Sequence, residues 1–209
     1  MESYSQACQD IFVRIILKNK KEGIFLEIGG NHPSINNNTY LLEKKNNWKG
    51  LIVEYEKSFE KMYIKNRKRS LYVIRDARNV DYLKIFETYN FPKNIDYLQI
   101  DLEVDNKSTL ELLFLLDKTL FNEYKFATVT FEHDIYRGDF FNTREISRNI
   151  FESRGYVLVF PDVKVINNGY EPFEDWYVHP DLVDMEYVNK IKTTESLNCD
   201  EIKNILLNN

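Results

Sequence analysis

Short apolar runs in this sequence repeatedly end on an acid. Glu27 lies within Ile24 to Ile28, just before Gly29-Gly30-Asn31. Glu54-Tyr55 follows Leu51-Ile52-Val53, and Asp76-Ala77 comes after Leu71 to Ile74. Asp101 closes Ile95 to Ile100, and Glu132-His133-Asp134 closes Phe126 to Phe131. One acid at a strand end is ordinary. Five make an organised polar rim, because ligands of open α/β sheets bind outside the carboxyl ends of the strands. Each type has its chemistry. Glu54 stands 24 positions after Gly30, where a carboxylate can accept both hydroxyls of a ribose. Asp76 could accept from an adenine amino group and Glu27 from an ammonium group. Gly29-Gly30 permits a tight turn and close approach of a ligand to main-chain N–H groups.

The glycines do not form a phosphate cradle. There is no G-x-x-x-x-G-K-[ST], and Pro33-Ser34 occupies the place of a third glycine in G-x-G-x-x-G. The next helix begins only near Asn38, after an Asn-rich loop, which suits a bulky ligand end without phosphates. An amino-acid end, a ribose and an adenine together describe S-adenosylmethionine. NAD lacks the ammonium.

The elements that must position these residues can be read from periodicity. Ala7 to Leu17 carries apolar residues at helical spacing, giving an N-terminal helix of about residues 5–20. The strands begin with Ile24–Ile28, Leu51–Glu54 and Leu71–Ile74, and continue with Ile95–Ile100 and Phe126–Phe131. Tyr156–Phe160 and Asp175–Val178 complete the set. Helices are expected from Asn38-Thr39 to Lys45, around Phe59 to Tyr63, around Val80 to Phe86, after a Ser108 to Glu111 capping box, and over Thr143 to Arg154. Strands alternating with helix-sized segments predict an α/β, Rossmann-like, doubly wound fold. Its seven-stranded, mostly parallel sheet has helices on both faces. The segment Pro161 to Glu174 shows no helix, which predicts an antiparallel hairpin at one edge. Residues 184–209 read as helical trim or an oligomer contact, and the whole of 1–209 as a single domain.

Composition narrows the function. The chain has 209 residues, 43% hydrophobic, 29% charged and 14% aromatic, an ordinary globular balance. The net charge of -5 argues against a nucleic-acid partner, which needs clustered Lys and Arg. No apolar run is long enough for a membrane helix, and residues 1–6 lack the features of a signal peptide. Cys8 and Cys199 have no metal spacing, and a reducing, cytoplasmic setting is expected.

The residues resemble those of the FkbM-type methyltransferases, a branch of the class I S-adenosylmethionine-dependent fold. Four stretches carry the likeness: Tyr4-Ser5-Gln6 with Gln9-Asp10; Gly23 to Asn31 with Asn38-Thr39 and Leu42-Glu43; Trp48 to Glu54; and Ile95 to Glu103. The match spans roughly residues 4 to 133. Glu27 departs from the usual Asp, Tyr55 from Pro, and Val104 from Gly. The resemblance implies S-adenosylmethionine held by Glu27, Gly29, Gly30, Asn31, Glu54, Tyr55, Asp76, Ala77 and Asp101. Gln6 would close over its methionine end, and Asn38-Thr39 would offer a helix N-terminus to its carboxylate. It implies O-methylation of a sugar hydroxyl in a glycan or glycosylated metabolite.

Methyl transfer to a hydroxyl needs alignment and removal of the proton. His133 is the expected base, and Asp101 the alternative or its orienting partner. Asp101 and Glu132, with His133 or Asp134, could also bind Mg²⁺ or Mn²⁺ and lower the acceptor pKa. His32 could touch ligand or pack its loop, while His179 is expected at the far edge. The competing functions are an NAD-linked sugar-modifying enzyme and a non-catalytic binding module on the same scaffold.

Overall fold

The computed structural model describes residues 2–166 and 170–209. Seven strands form one sheet: β1 (Ile24–Ile28), β2 (Lys49–Glu54), β3 (Leu71–Ile74), β4 (Asn94–Ile100), β5 (Lys125–Glu132), β6 (Val157–Ile166) and β7 (Tyr170–Val178). Their order is β3-β2-β1-β4-β5-β7-β6. The first five pair in parallel, whereas β7 runs antiparallel to both β5 and β6. This is the doubly wound sheet with an antiparallel hairpin that the pattern predicts, except that the returning strand is inserted inside the edge. β6 and β7 are also longer than their apolar runs. Pro161 and the left-handed Asp162 interrupt the alternation of β6, and the β6–β7 register shifts between Leu158 and Lys164. Such bulges are tolerated on an edge strand. Residues 167–169, within the predicted Pro161 to Glu174 connection, lie outside the described residues.

Among the described residues, eight α-helices flank the sheet: α1 (Gln9–Ile16), α2 (Tyr40–Asn46), α3 (Glu60–Asn66), α4 (Tyr82–Thr88), α5 (Ser108–Lys118), α6 (Thr143–Ser153), α7 (Met185–Ile191) and α8 (Cys199–Asn208). The core divides into two clusters. One joins Ile11, Phe12 and Ile202 to Phe160 and Trp176; the other joins Leu112, Leu116 and Phe151 to Leu26, Leu98 and Phe131. With both faces covered, the strand interiors are buried on both sides, as in β4, where all residues after Asn94 are buried, Asp96 and Gln99 among them. No described helix is long and apolar enough to cross a membrane.

Two expected helix starts differ. The Ser108 to Glu111 capping box does not form: Lys107 takes the cap position in the left-handed region, and Ser108 Oγ bonds to Asn106. Thr39 does precede α2 but does not cap it, because its hydroxyl donates to Glu27. α1 is shorter than the predicted 5–20, since Lys18 and Asn19 turn left-handed and end it.

Candidate active site

The carboxyl ends of β1, β2, β4 and β5 surround a cavity of about 280 Å³. Gly29 makes the first turn. Its φ is +80°, and a Cβ there would lie 1.6 Å from the Asp101 carbonyl oxygen, so β1 and β4 can close together only over glycine. The next residue in the cleft is Asn31, whose N–H donates to Glu54 Oε2 at 2.6 Å. Glu54 Oε1 accepts from the Glu56 N–H at 2.6 Å. Two main-chain donors thus orient a carboxylate that is 7% exposed, and each oxygen keeps a second lone pair for a ligand. Beside it, the Tyr55 ring stands 74% exposed on the rim.

The opposite wall is acidic. Asp101, Glu103, Glu132 and Asp134 line it with Leu102, and Arg137 is the one cation among the lining residues. Arg137 pairs with Asp134 at 3.0 Å and Asp105 at 3.2 Å. Asp101 and Glu132 are neighbours without a cation between them. Burial, added to the charges of Asp134 and Glu103, pushes Asp101 up to about 6. Burial and the adjacent Asp101 push Glu132 well above the usual carboxylate range. The two carboxyls therefore titrate as a coupled pair, both displaced upward.

Several expected ligand residues do not line this cavity. Glu27 is 1% exposed. Its Oε2 accepts from Thr39 Oγ1 at 2.8 Å and Asn37 Nδ2 at 3.3 Å, and lies 3.5 Å from Arg67. Burial raises its carboxyl above the ordinary range despite Arg67, because that one guanidinium also pairs with Glu43 at 2.9 Å. Glu27 thus belongs to a buried network beneath the glycine turn. Gly30 lies over the same network, where a Cβ would meet Tyr63 Oη at 2.5 Å. Asn38 and Thr39 are buried beside it, and Asn38 Oδ1 has no hydrogen-bond partner. Asp76 caps the turn at Ala77 and pairs with Arg78 at 2.8 Å, and those contacts hold its carboxyl below the usual range. Gln6 is exposed and lines a different cavity, with Asn36 and Cys199.

His133 is displaced from its expected role. Its side chain is fully buried. Nδ1 accepts from the Ile135 N–H at 3.3 Å, and Nε2 lies 3.5 Å from both Asp162 and Asp175. Successive strand residues face opposite sides, so with Glu132 in the cleft, His133 turns behind it. The expected metal set of Asp101, Glu132 and His133 is consequently not brought together. Among the described residues, the one trio whose ligand atoms lie within 4.8 Å of one another is His133, Asp162 and Asp175. Arg148 already binds Asp175 through two nitrogens at 2.7 and 2.8 Å. Burial alone would raise Asp175, but Arg148 and His133 outweigh it and hold the carboxyl below its usual range. Arg144 adds a contact to Asp162 at 3.1 Å. This is a neutralised structural knot. His32 packs its own loop, accepting from Ser34 and Ile35 N–H. His179 meets the Ala127 carbonyl near the start of β5, far from the cleft as expected.

Leu102, Glu103 and Arg137 were not singled out as ligand contacts. Arg137 had a detectable signal: it is a lone cation just beyond Glu132-His133-Asp134. A larger open groove of about 850 Å³ lies between α6 and β6. It is away from the strand ends, and its Arg148 and Asp162 are already paired.

Neither a protein-family model nor a curated protein sequence matches the chain. Solved structures do match its fold. A TehB-like SAM-dependent methyltransferase from Corynebacterium glutamicum aligns at 12% identity and TM-score 0.52, over 82% of this chain and 87% of that one. The 1,6-didemethyltoxoflavin-N1-methyltransferase of Burkholderia thailandensis, solved with S-adenosylhomocysteine bound, aligns at 11% identity and TM-score 0.52, covering 82% and 76%. TrmK from M. capricolum, also in complex with S-adenosylhomocysteine, aligns at 12% identity and TM-score 0.50, covering 83% and 70%. The chain thus shares the Rossmann-like fold of class I methyltransferases, with the acid-lined cavity at the carboxyl ends of its strands.

Proposed function

We propose that the protein is an S-adenosylmethionine-dependent methyltransferase of the FkbM type, acting on a sugar hydroxyl of a glycan or glycosylated metabolite. The observation that carries this reading is the charge of the cleft: five lining carboxylates, of Glu54, Asp101, Glu103, Glu132 and Asp134, against Arg137 alone. A ligand bearing an ammonium and a sulfonium complements that field. A pyrophosphate, as in NAD, or a polyanionic strand would be repelled by it. Glu54 would accept from ribose hydroxyls, with Gly29 and Tyr55 beside it in the cleft.

S-adenosylmethionine, when bound, supplies the electrophilic methyl group. The chain's part is to orient the acceptor and take its proton. His133 is sealed from the cleft, so the base role passes to Asp101. A carboxyl raised to about 6 is ionised at neutral pH yet more basic than an ordinary aspartate. Glu103, Glu132 and Asp134 can accept hydrogen bonds from neutral, hydroxyl-rich acceptors, which favours a sugar over an anionic substrate.

Calorimetric titration with S-adenosylmethionine, S-adenosylhomocysteine and NAD, each with and without Mg²⁺ or Mn²⁺, tests the cofactor. Binding of the two sulfur ligands alone, unchanged by metal, is expected. Binding of NAD alone, or of none of the three, refutes the proposal. Methyl transfer from labelled S-adenosylmethionine to oligosaccharides, catechols and tRNA then tests the acceptor. Transfer to tRNA or catechol and not to sugars overturns the sugar assignment while leaving the cofactor in place.

A further inference from the structure

Cys8 and Cys199 are 191 positions apart, yet the fold sets them against each other. Cys8 precedes α1 and is buried; Cys199 opens α8 and is partly exposed. The Cys8 thiol donates to the Cys199 carbonyl oxygen at 3.4 Å, which brings it against that residue. We propose that this pair is a peroxide-reactive oxidation site, at which Cys199 attacks the oxidant and Cys8 closes the disulfide.

The two sulfurs have different surroundings. Cys199 stands in the first turn of a ten-residue helix whose start is fixed by a complete Asn198–Glu201 capping box. Helix N-termini and nearby cations favour thiolate, and Lys203 is one turn along the same helix. The hydrogen bond from Cys8 is the largest influence on Cys199; with Lys203 it outweighs burial and Asp200 and brings the thiol down to about 7. Cys8 moves the other way, raised by the same hydrogen bond, by burial and by Asp10, with Lys203 opposing. Cys199 is thus the more readily ionised of the two sulfurs, and burial holds Cys8 as the thiol. A reactive thiol beside a resolving one has this arrangement. Access is present too, since Cys199 lines a cavity of about 330 Å³ with the exposed Gln6 and Asn36.

The chemistry balances with hydrogen peroxide as oxidant. The Cys199 thiolate attacks one peroxide oxygen, the O–O bond breaks, and the departing hydroxide takes a proton to leave as water. Cys199 is then a sulfenic acid. The Cys8 sulfur attacks Cys199 sulfur, the S–O bond breaks, and the hydroxyl leaves as a second water with the Cys8 proton. Two thiols and one peroxide become one disulfide and two waters.

The test uses the full reduced chain and stoichiometric hydrogen peroxide near neutral pH. The expected product is monomeric, has lost two hydrogens in mass and titrates no free thiol. Its Cys8 and Cys199 peptides are joined in a non-reducing map, and dithiothreitol restores both thiols. In Cys8→Ser, the reaction stops at a Cys199 sulfenate trapped by dimedone. In Cys199→Ser, thiol loss at Cys8 slows at least about tenfold. Should Cys8→Ser fail to fold, the wild-type peptide map decides alone. Two free thiols after peroxide, a sulfinylated Cys199 with Cys8 still reduced, or a disulfide between two chains would each overturn the proposal.

Discussion

Replacing Arg67 with methionine tests the network beneath the glycine turn. The Arg67 side chain is wholly buried between Glu43 at 2.9 Å and Glu27 at 3.5 Å. It also donates to Asn37 Oδ1 at 2.9 Å and Thr39 Oγ1 at 2.6 Å. Methionine keeps much of the volume, so the cavity cost is small. What remains is two buried carboxyls without their cation. Breaking a buried pair from one side costs about 3–5 kcal/mol, a large part of a total of about 5–15 kcal/mol. With a urea m-value of about 2–3 kcal/mol/M, the midpoint falls by roughly 1–2 M. The pH dependence follows from Glu27. Burial already raises its carboxyl with Arg67 present, and loss of Arg67 raises it further. A carboxyl raised in the folded state contributes stability below its ordinary pKa and loses it as pH rises through the folded value. The deficit of the variant is therefore larger at about pH 8 than at about pH 5, close to where an ordinary carboxyl ionises. Adding Glu27→Gln should recover part of it at the higher pH, with a coupling above about 1 kcal/mol. Urea unfolding followed by circular dichroism at both pH values is the assay. A midpoint shift below about 0.3 M, or equal shifts at the two pH values, refutes the reasoning.

Three further outcomes are expected. Glu54→Gln should weaken S-adenosylhomocysteine binding about 10- to 100-fold, the worth of a hydrogen bond to a charged acceptor, with calorimetry as the measure and an unchanged Kd counting against the ribose role. Gly29→Ala should cost at least about 3 kcal/mol by thermal melting, since its Cβ would meet the Asp101 carbonyl at 1.6 Å and φ is +80°; a melting temperature within experimental error of the parent's would contradict the geometry. Closing the Cys8–Cys199 disulfide should stabilise the chain by up to about 5 kcal/mol, or about 10 °C in Tm, in the chain-entropy limit, and a lower Tm for the oxidised form would show that the bond strains the fold.

Much of the scaffold is legible in the residues because β1 to β5 are buried on both faces. Short stretches rich in β-branched, aliphatic and aromatic residues then mark the strands, and β1 and β3 fall on the expected residues. The strand ends were readable for the same reason: a run stops where burial stops. Side-chain direction was harder. Glu27 and His133 were placed by proximity to a strand end, but alternation sends each to the side away from the cleft. Glu27 shares the face of Phe25, where Arg67, forty positions on, lies 5.6 Å from the Phe25 ring. His133 meets Asp162 and Asp175, whose positions depend on the β6–β7 register. No local pattern encodes either partner. The Ser108 capping box failed on a similar point, since the turn at Val104 to Lys107 brings Asn106 to the Ser108 hydroxyl first.

The acid wall has a thermodynamic consequence under the proposed function. Burial and the charges of Asp134 and Glu103 raise Asp101 although its hydrogen bond to Glu132 opposes them, while burial and Asp101 raise Glu132. A cation bound against them lowers both pKa values, so binding is accompanied by proton release from the pair. By linkage, its affinity rises with pH through the region near 6 where Asp101 titrates. S-adenosylmethionine carries a sulfonium and an ammonium, whereas S-adenosylhomocysteine carries only the ammonium. Affinity for the first should climb more steeply between about pH 5.5 and pH 7.5, and its calorimetric proton release should be larger. Replacing Glu132 by glutamine should flatten the difference, because one carboxyl of the pair no longer titrates. If both ligands show the same pH slope and the same proton release, the acid wall does not face the sulfonium, and Asp101 loses its claim to stand beside the transferred methyl group.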